Sequence, residues 1–161
     1  MITLRRAGIE DAPAVAAVHA LAHRETYMPI VGEAYGAPSE AARLAFWTEV
    51  LALRESRAHL ALDENKAIGF AHASAQRITA LYVLASHHRR GVGRRLLFDV
   101  LADMRAAGYD EARFEVFGRN QAAIAFYERQ GARFVRRRHV DDEDGSGPFT
   151  EHVYSIATGG G

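Results

Sequence analysis

The feature that most constrains this chain is the stretch His87-His88-Arg89-Arg90-Gly91-Val92-Gly93-Arg94-Arg95, set between an apolar run and a helical pattern. Upstream, Ile78-Thr79-Ala80-Leu81-Tyr82-Val83-Leu84 is short, rich in β-formers, and reads as a buried strand. Downstream, Val92, Leu96, Leu97, Val100, Leu101 and Met104 recur at helical spacing, and Gly108 supplies a stop. A strand that turns through glycines into a helix leaves unpaired N–H groups at the helix start, where the macrodipole adds partial positive charge. Gly91 and Gly93 let the backbone come close to an anion, and four arginines surround them. The arrangement suits a phosphorylated ligand.

Two nucleotide turns can be tested directly. A P-loop requires Lys-Ser or Lys-Thr after its second glycine, and Arg94-Arg95 stand there instead. A dinucleotide fingerprint requires a third small residue where Leu96 stands, although Glu115 lies near its acidic position. That fingerprint normally follows the first strand of its unit, whereas this turn lies halfway along the chain.

A second landmark is Asn120-Gln121-Ala122-Ala123-Ile124-Ala125-Phe126-Tyr127-Glu128-Arg129-Gln130-Gly131-Ala132-Arg133-Phe134. Together with Leu81-Tyr82-Val83 and Arg90-Gly91-Val92-Gly93, it resembles the GNAT superfamily of N-acetyltransferases. That family's phosphate motif is Gln or Arg, two residues, Gly, one residue, then Gly or Ala. Its later motif is Asn-x-x-Ala-x-x-Phe-Tyr-Glu-x-x-Gly. The resemblance covers about Ile78 to Phe134 closely and the rest of the chain fairly. Two motifs in order, at the right separation, are more specific than one glycine turn.

Periodicity divides the remainder. Ile2 to Arg6 reads as a strand, and about Glu10 to Tyr27 as a helix with Val15, Val18 and Ala22 on one face. Met28 to Pro38 holds two prolines and two glycines and reads as a loop. Ser39 caps a helix to about Leu53, with Leu44, Trp47 and Leu51 turned inward. Ala58 to Leu62 and Ala67 to Ser74 form a hairpin around Asp63-Glu64-Asn65-Lys66. A strand over Glu111 to Phe117, a helix over Asn120 to Gln130, and strands over Ala132 to Val140 and Phe149 to Ile156 follow the glycine turn and its helix. The order β-α-α-β-β-β-α-β-α-β-β predicts an α/β (α+β) fold with a mixed seven-stranded sheet and helices on both faces. It also matches the element order of the acetyltransferase family. One domain over residues 1–158 with a flexible tail over 159–161 is expected.

Composition narrows the function. Twenty basic residues balance twenty acidic ones, so no global field attracts nucleic acid or a membrane surface. The absence of cysteine removes disulfides, a thiolate nucleophile and Cys-based zinc sites. No signal peptide or apolar run of transmembrane length is visible, so a cytoplasmic protein is expected.

Acetyl transfer from a thioester to an amine sets three problems. An alkylamine of pKa ~10.4 costs roughly 4–5 kcal/mol to deprotonate at pH 7. The tetrahedral intermediate needs fixed donors for its oxyanion, and the departing thiolate benefits from a proton donor. The resemblance supplies acetyl-CoA as cosubstrate, with no metal. It makes Tyr127 the residue that stands by the CoA sulfur and protonates the leaving group. It also makes Glu115 a candidate base, since some members place one there. A tyrosine at this spacing could otherwise be a packing partner of Ile124, and Glu115 could be a solvated or arginine-paired strand residue. Asn120 is a natural helix cap and, by resemblance, a cofactor contact. Backbone groups of Leu81, Tyr82, Val83 and Leu84 are implied in binding the pantetheine arm, and His88, Arg89, Arg90, Gly91, Val92, Gly93 and Arg94 in binding the pyrophosphate. His88 departs from the family's Gln or Arg. The preceding strand offers only Gln76, Arg77 and Thr79 where other members carry a base, and His72 is the alternative base with a suitable ordinary pKa. Tyr27 and Tyr35, in and after the segment His23-Arg24-Glu25-Thr26-Tyr27, are the acceptor-contact candidates.

Three other groupings carry a plainer reading. His19 and His23 have metal-ligand spacing but no third ligand nearby, which predicts a polar helix face. Arg136-Arg137-Arg138-His139 could touch RNA, yet strand alternation should split its charges between two faces. Asp141-Asp142-Glu143-Asp144 reads as a solvated turn that could draw a cationic amine. The expectation is an N-acetyltransferase acting by direct attack in a ternary complex. Its acceptor is a small-molecule or a protein or peptide amine, and a homodimer is an open option. The alternatives are a non-catalytic acyl-CoA-binding protein of the same fold and a nucleic-acid-binding protein.

Overall fold

The computed structural model describes residues 1–141 and 148–159. Its seven strands are β1 (Ile2–Arg6), β2 (Arg57–Asp63), β3 (Lys66–Ser74), β4 (Arg77–Val83), β5 (Glu111–Phe117), β6 (Arg133–Val140) and β7 (Phe149–Ala157). They form one mixed sheet in the order β1-β2-β3-β4-β5-β7-β6. Four α-helices cover it among the described residues: α1 (Ala12–Val31), α2 (Glu40–Ala52), α3 (Val92–Ala106) and α4 (Gln121–Arg129). The element order is the one predicted.

Two cores flank the sheet. Leu96, Leu97, Val100, Leu101 and Met104 of α3 are buried against Ile78, Ala112, Phe114 and Tyr154, with Ile124 and Tyr127 of α4 packed on the same cluster. On the other face, Val15 and Val18 of α1 and Trp47 and Leu51 of α2 meet Leu60, Phe70 and Ala80. Helices α1, α2 and α3 each bury one stripe, as their spacing dictates, and α4 lays partly buried side chains on the same core as α3. The β2–β3 hairpin closes through Glu64 and Asn65, both with positive φ (48° and 68°), the twist that a two-residue hairpin loop requires.

Two predictions need correction. The first helix does not stop at Tyr27 but continues to Val31, so the predicted Met28-to-Pro38 loop shrinks to a 3-10 turn at Gly32–Ala34 and a short linker. Pro29 sits in the last turn, where its missing N–H forfeits one helical bond. Gly32, at φ 58°, closes the helix by donating to the Met28 carbonyl, and Arg119 donates to the Ile30 carbonyl at 2.9 Å. In α2, the inward residue beside Trp47 and Leu51 is Arg43 (4% exposed), whereas Leu44 is 40% exposed. Residues 43, 47 and 51 lie four apart and share one stripe, so burial follows helix geometry and takes the charged residue inward.

The sheet has one discontinuity. Strands β4 and β5 run parallel and share a single register pair, Arg77↔Arg113, with the Arg113 amide donating to the Gln76 carbonyl at 2.9 Å. Beyond it the strands part. Of the acidic stretch, Asp141 is exposed and residues 142–144 lie outside the described residues, as do residues 160–161 of the glycine tail.

Candidate active site

A cleft of about 830 Å³ opens where β4 and β5 part, running from the start of α3 past α4 to α1. Most residues singled out in the sequence line it: Leu81, Tyr82, Val83, His88, Arg89, Gly91, Val92, Gly93, Arg94, Glu115, Asn120, Tyr127 and Tyr27. Leu84, Arg90 and Tyr35 do not. The Leu84 amide donates to the Ile68 carbonyl at 2.9 Å, the Arg90 guanidinium lies 3.7 Å from Asp63, and the Tyr35 hydroxyl hydrogen-bonds the His23 Nδ1 at 3.0 Å.

At one end the chain is shaped for an anion. Arg89 and Gly91 both adopt positive φ (62° and 77°), turning the backbone sharply before α3. Helices α2 and α4 are capped by the side chains of Ser39 and Asn120, which accept from the Ala42 and Ala123 amides. Helix α3 has no side-chain cap, and its first backbone bond is Arg95 N–H to the Gly91 carbonyl. Its first-turn donors therefore have no capping side chain, as at the start of α1, and they lie in the positive field of the helix end at the mouth of the cleft. A Cβ built on Gly91 would meet nothing within 4 Å, so open space lies over the turn.

The strand beside this turn presents its backbone to the gap. Antiparallel ladders alternate bonded and non-bonded pairs, and the Leu84–Ile68 bond sets the phase. It leaves Leu81 and Val83 unpaired toward β3 and directed at the β4–β5 opening. The Val83 carbonyl accepts from the His88 Nε2 at 2.8 Å, so His88 ties the turn to the strand.

Three phenols meet in the middle. Tyr127 packs on Phe114 at 4.4 Å, on the α3–α4 face, while Tyr82 belongs to the α1–α2 core and Tyr27 lies against Phe117 at 5.9 Å. Burial, then the neighbouring Tyr27, holds the Tyr127 phenol well above its ordinary pKa. Burial does the same for Tyr82, reinforced by Tyr27 and Tyr127. It also raises Tyr27, with Asn120 and Tyr82 pulling the other way. All three are neutral hydroxyl donors at pH 7.

Glu115 reaches the cleft from β5, its carboxylate 2.7 Å from Arg77 and 3.7 Å from Arg138, with the side chain 18% exposed. His72 does not reach it. Its ring is 3% exposed, bonded to Thr79 through Nδ1 and to Ser56 through Nε2, and burial lowers its pKa to about 4. His19 and His23 are half-buried against the sheet and do not form a polar outer face, because α1 presents them to Trp47 and Tyr82; the His19 and Tyr82 rings are 4.8 Å apart. Among the described residues no group of three or more ligating side chains is arranged to hold a metal. The charges of Arg136-Arg137-Arg138-His139 lie on exposed β6, with Arg138 turned to Glu115 and Glu151. Sequence reading missed Glu25, which lines the cleft and accepts from the Ala85 amide at 2.8 Å, and Arg119, which also lines it. Glu25 lies within the His23-to-Tyr27 segment but has no role assigned there, and the packing of α1 on the sheet brings it to the cleft; Arg119 precedes Asn120 on the turn between β5 and α4.

A family model described as Acetyltransferase (GNAT) family matches residues 16–132. The chain belongs to the GNAT acetyltransferase family. A search of curated proteins finds no match. The fold of this GNAT chain is similar to that of the ribosomal-protein-S18-alanine N-acetyltransferase from Escherichia coli, at 20% identity and TM-score 0.75, covering 98% of this chain and 94% of that one. It is similar to Arabidopsis thaliana NAA60 in complex with a bisubstrate analogue, at 18% identity and TM-score 0.74, covering 100% of both chains. It is also similar to paiA N-acetyltransferase from Thermoplasma acidophilum in complex with coenzyme A, at 22% identity and TM-score 0.68, covering 98% of this chain and 99% of that one. At these identities the likeness speaks for the GNAT fold. No helix among the described residues is long and apolar enough to cross a membrane.

Proposed function

We propose that this GNAT protein is an acetyl-CoA-dependent N-acetyltransferase that moves the acetyl group to a primary amine by direct attack in a ternary complex. One observation carries the reading: the uncapped start of α3 and the Tyr127 phenol line one cleft at the opened β4–β5 seam. The pyrophosphate of CoA then sits on the turn over residues 89–94, and the pantetheine arm runs along β4 toward Tyr127. The acceptor amine arrives from the α1–α2 face, past Tyr27 and Tyr82. The named complexes of related folds, one with coenzyme A and one with a bisubstrate analogue, are consistent with this assignment. Residues 1–158 act as the single catalytic domain, in the cytoplasm, with no metal.

The chemistry balances without a covalent enzyme intermediate. The amine nitrogen forms its bond to the thioester carbon, and a gap-facing amide of β4 donates to the developing oxyanion. The C–S bond then breaks. Glu115 takes the proton released by nitrogen, directly or through water, and Tyr127 donates toward the departing sulfur. A phenol at its ordinary pKa is a weaker acid than a thiol of about 8.5, so full transfer to a free thiolate is uphill by roughly 2 kcal/mol. Burial that raises Tyr127 enlarges that gap, which makes the hydroxyl a hydrogen-bond donor to the sulfur as it leaves.

The test is thiol release from acetyl-CoA against a panel of amines: amino acids, polyamines, aminoglycosides, lysine and peptide N-termini. Turnover with at least one class is expected. CoA binding without turnover on any of them would make the protein a carrier or sensor of acyl-CoA.

A further inference from the structure

The mechanism leaves one buried cation unused. Arg43 is 4% exposed, and its Nε and Nη2 are buried without a hydrogen-bond partner. Arginine–carboxylate pairs among the described residues involve other arginines. Taking a guanidinium out of water without a partner is strongly unfavourable, and the group is too basic to escape by losing its proton. Such a residue is explained when something anionic completes it.

The unpaired atoms also say what kind of anion. Nε and Nη2 form one edge of the planar guanidinium, the edge that takes the two oxygens of a carboxylate side by side. The neighbouring side chains cannot supply that carboxylate. The His19 Nδ1 accepts from the Trp47 Nε1 at 3.0 Å, so in the neutral ring Nε2 carries the proton and is a further donor. Burial, with the field of Arg43 second, keeps His19 and His23 uncharged, at about 3 and about 4. The same field disfavours a cationic group here. Arg43 does not itself line the cleft, but Trp47, one turn along α2, donates to His19, whose ring lies 4.8 Å from that of Tyr82 in the cleft wall.

We propose that Arg43 is a specificity-determining residue that binds a carboxylate carried by the acceptor, so that the preferred substrate joins its reacting amine to an acidic group. This rests on the N-acetyltransferase reading. In the acceptor-free protein the guanidinium edge is covered, and the carboxylate reaches it by displacing side chains. The carboxylate can be that of a small amino acid or the acidic side chain of a peptide.

Acceptors matched in their amine separate these cases: γ-aminobutyrate against butylamine, lysine against cadaverine, and a glutamate tripeptide against its glutamine counterpart. The carboxylate-bearing member should show a kcat/KM about 10- to 100-fold higher, the scale of a charged hydrogen bond. Arg43→Met should abolish that preference and leave the neutral amines unchanged. The pair with the larger ratio identifies the small-molecule or the peptide source. A second reading does not need turnover. Trp47 is the sole tryptophan, one helical turn from Arg43 and bonded to His19. Its fluorescence should titrate with the same carboxylates in the wild type and not in Arg43→Met. The ligand-free variant should melt no lower than the wild type, because it loses an unpaired charge. Failure of every amine to react would sink the transferase reading while the Trp47 titration still judges Arg43. Equal use of both members of each pair, no Trp47 titration in the wild type, or a much lower melting temperature of Arg43→Met would overturn the proposal.

Discussion

Glu115 and Arg77 bridge β5 and β4 just beyond the last backbone bond of the seam, Oε2 to Nη2 at 2.7 Å. The ion pair stands where the strands begin to part, and Arg138 approaches the other carboxylate oxygen at 3.7 Å. The same side chain is thus both a strap across the seam and the β5 carboxylate that lines the cleft.

The two roles separate by mutation. Glu115→Gln keeps shape and hydrogen-bonding reach but removes basicity, so the rate at pH 7 should fall at least about tenfold and the acidic limb of the pH–rate profile should flatten. Full activity in Glu115→Gln would leave Glu115 as the strap alone.

Tyr127→Phe removes one oxygen and little packing, so thermal stability and CoA affinity should hardly change. The turnover number should drop by about 10- to 1,000-fold. Because burial raises the phenol, the wild-type turnover should show no alkaline decline from this group up to about pH 9. Unchanged turnover in the variant across pH 6 to 9 would assign the hydrogen bond to the departing sulfur to water.

Gly91→Ala probes the phosphate turn. The residue sits at φ 77°, and its new Cβ would meet no protein atom within 4 Å. The folding cost is then limited to left-handed strain, roughly 1–2 kcal/mol. CoA affinity measured by calorimetry should fall at least about tenfold, since the added methyl occupies the space given to the pyrophosphate. Wild-type affinity would remove the turn from the binding site.

Stability should weaken in mild acid, and His72 contributes to this with a definite sign. Folded His72 takes up a proton only near pH 4, whereas an unfolded histidine does so near 6.5. Between these values the unfolded chain binds more protons, so stability is complete above about pH 6.5 and declines as pH falls toward 4. His72→Asn should flatten the slope in that window by close to one proton, about 1.4 kcal/mol per pH unit. Urea midpoints from pH 4.5 to 7.5 would check this, and an unaltered slope would contradict it.

The strand–glycine–helix turn, the Asn120-to-Gly131 motif and the element order were legible in the chain, because each depends on local spacing. Period and capping act within one turn or one strand, and residues such as Gly91 and Ser39 announce what the backbone does there. Tertiary structure decided the rest. Helix α1 could run through Pro29 only because Gly32 and Arg119 satisfy its end. His72 went into the core because Thr79 and Ser56 are there to bond its ring. Arg43 lies inward and Leu44 outward because rotation of α2 about its own axis is set by Trp47 and Leu51 packing on the sheet, a quantity no local pattern contains. Hydrophobicity along the chain ranks what prefers to be buried, but contacts between distant elements choose which face is buried, and that choice took a cation inward with Trp47 and Leu51.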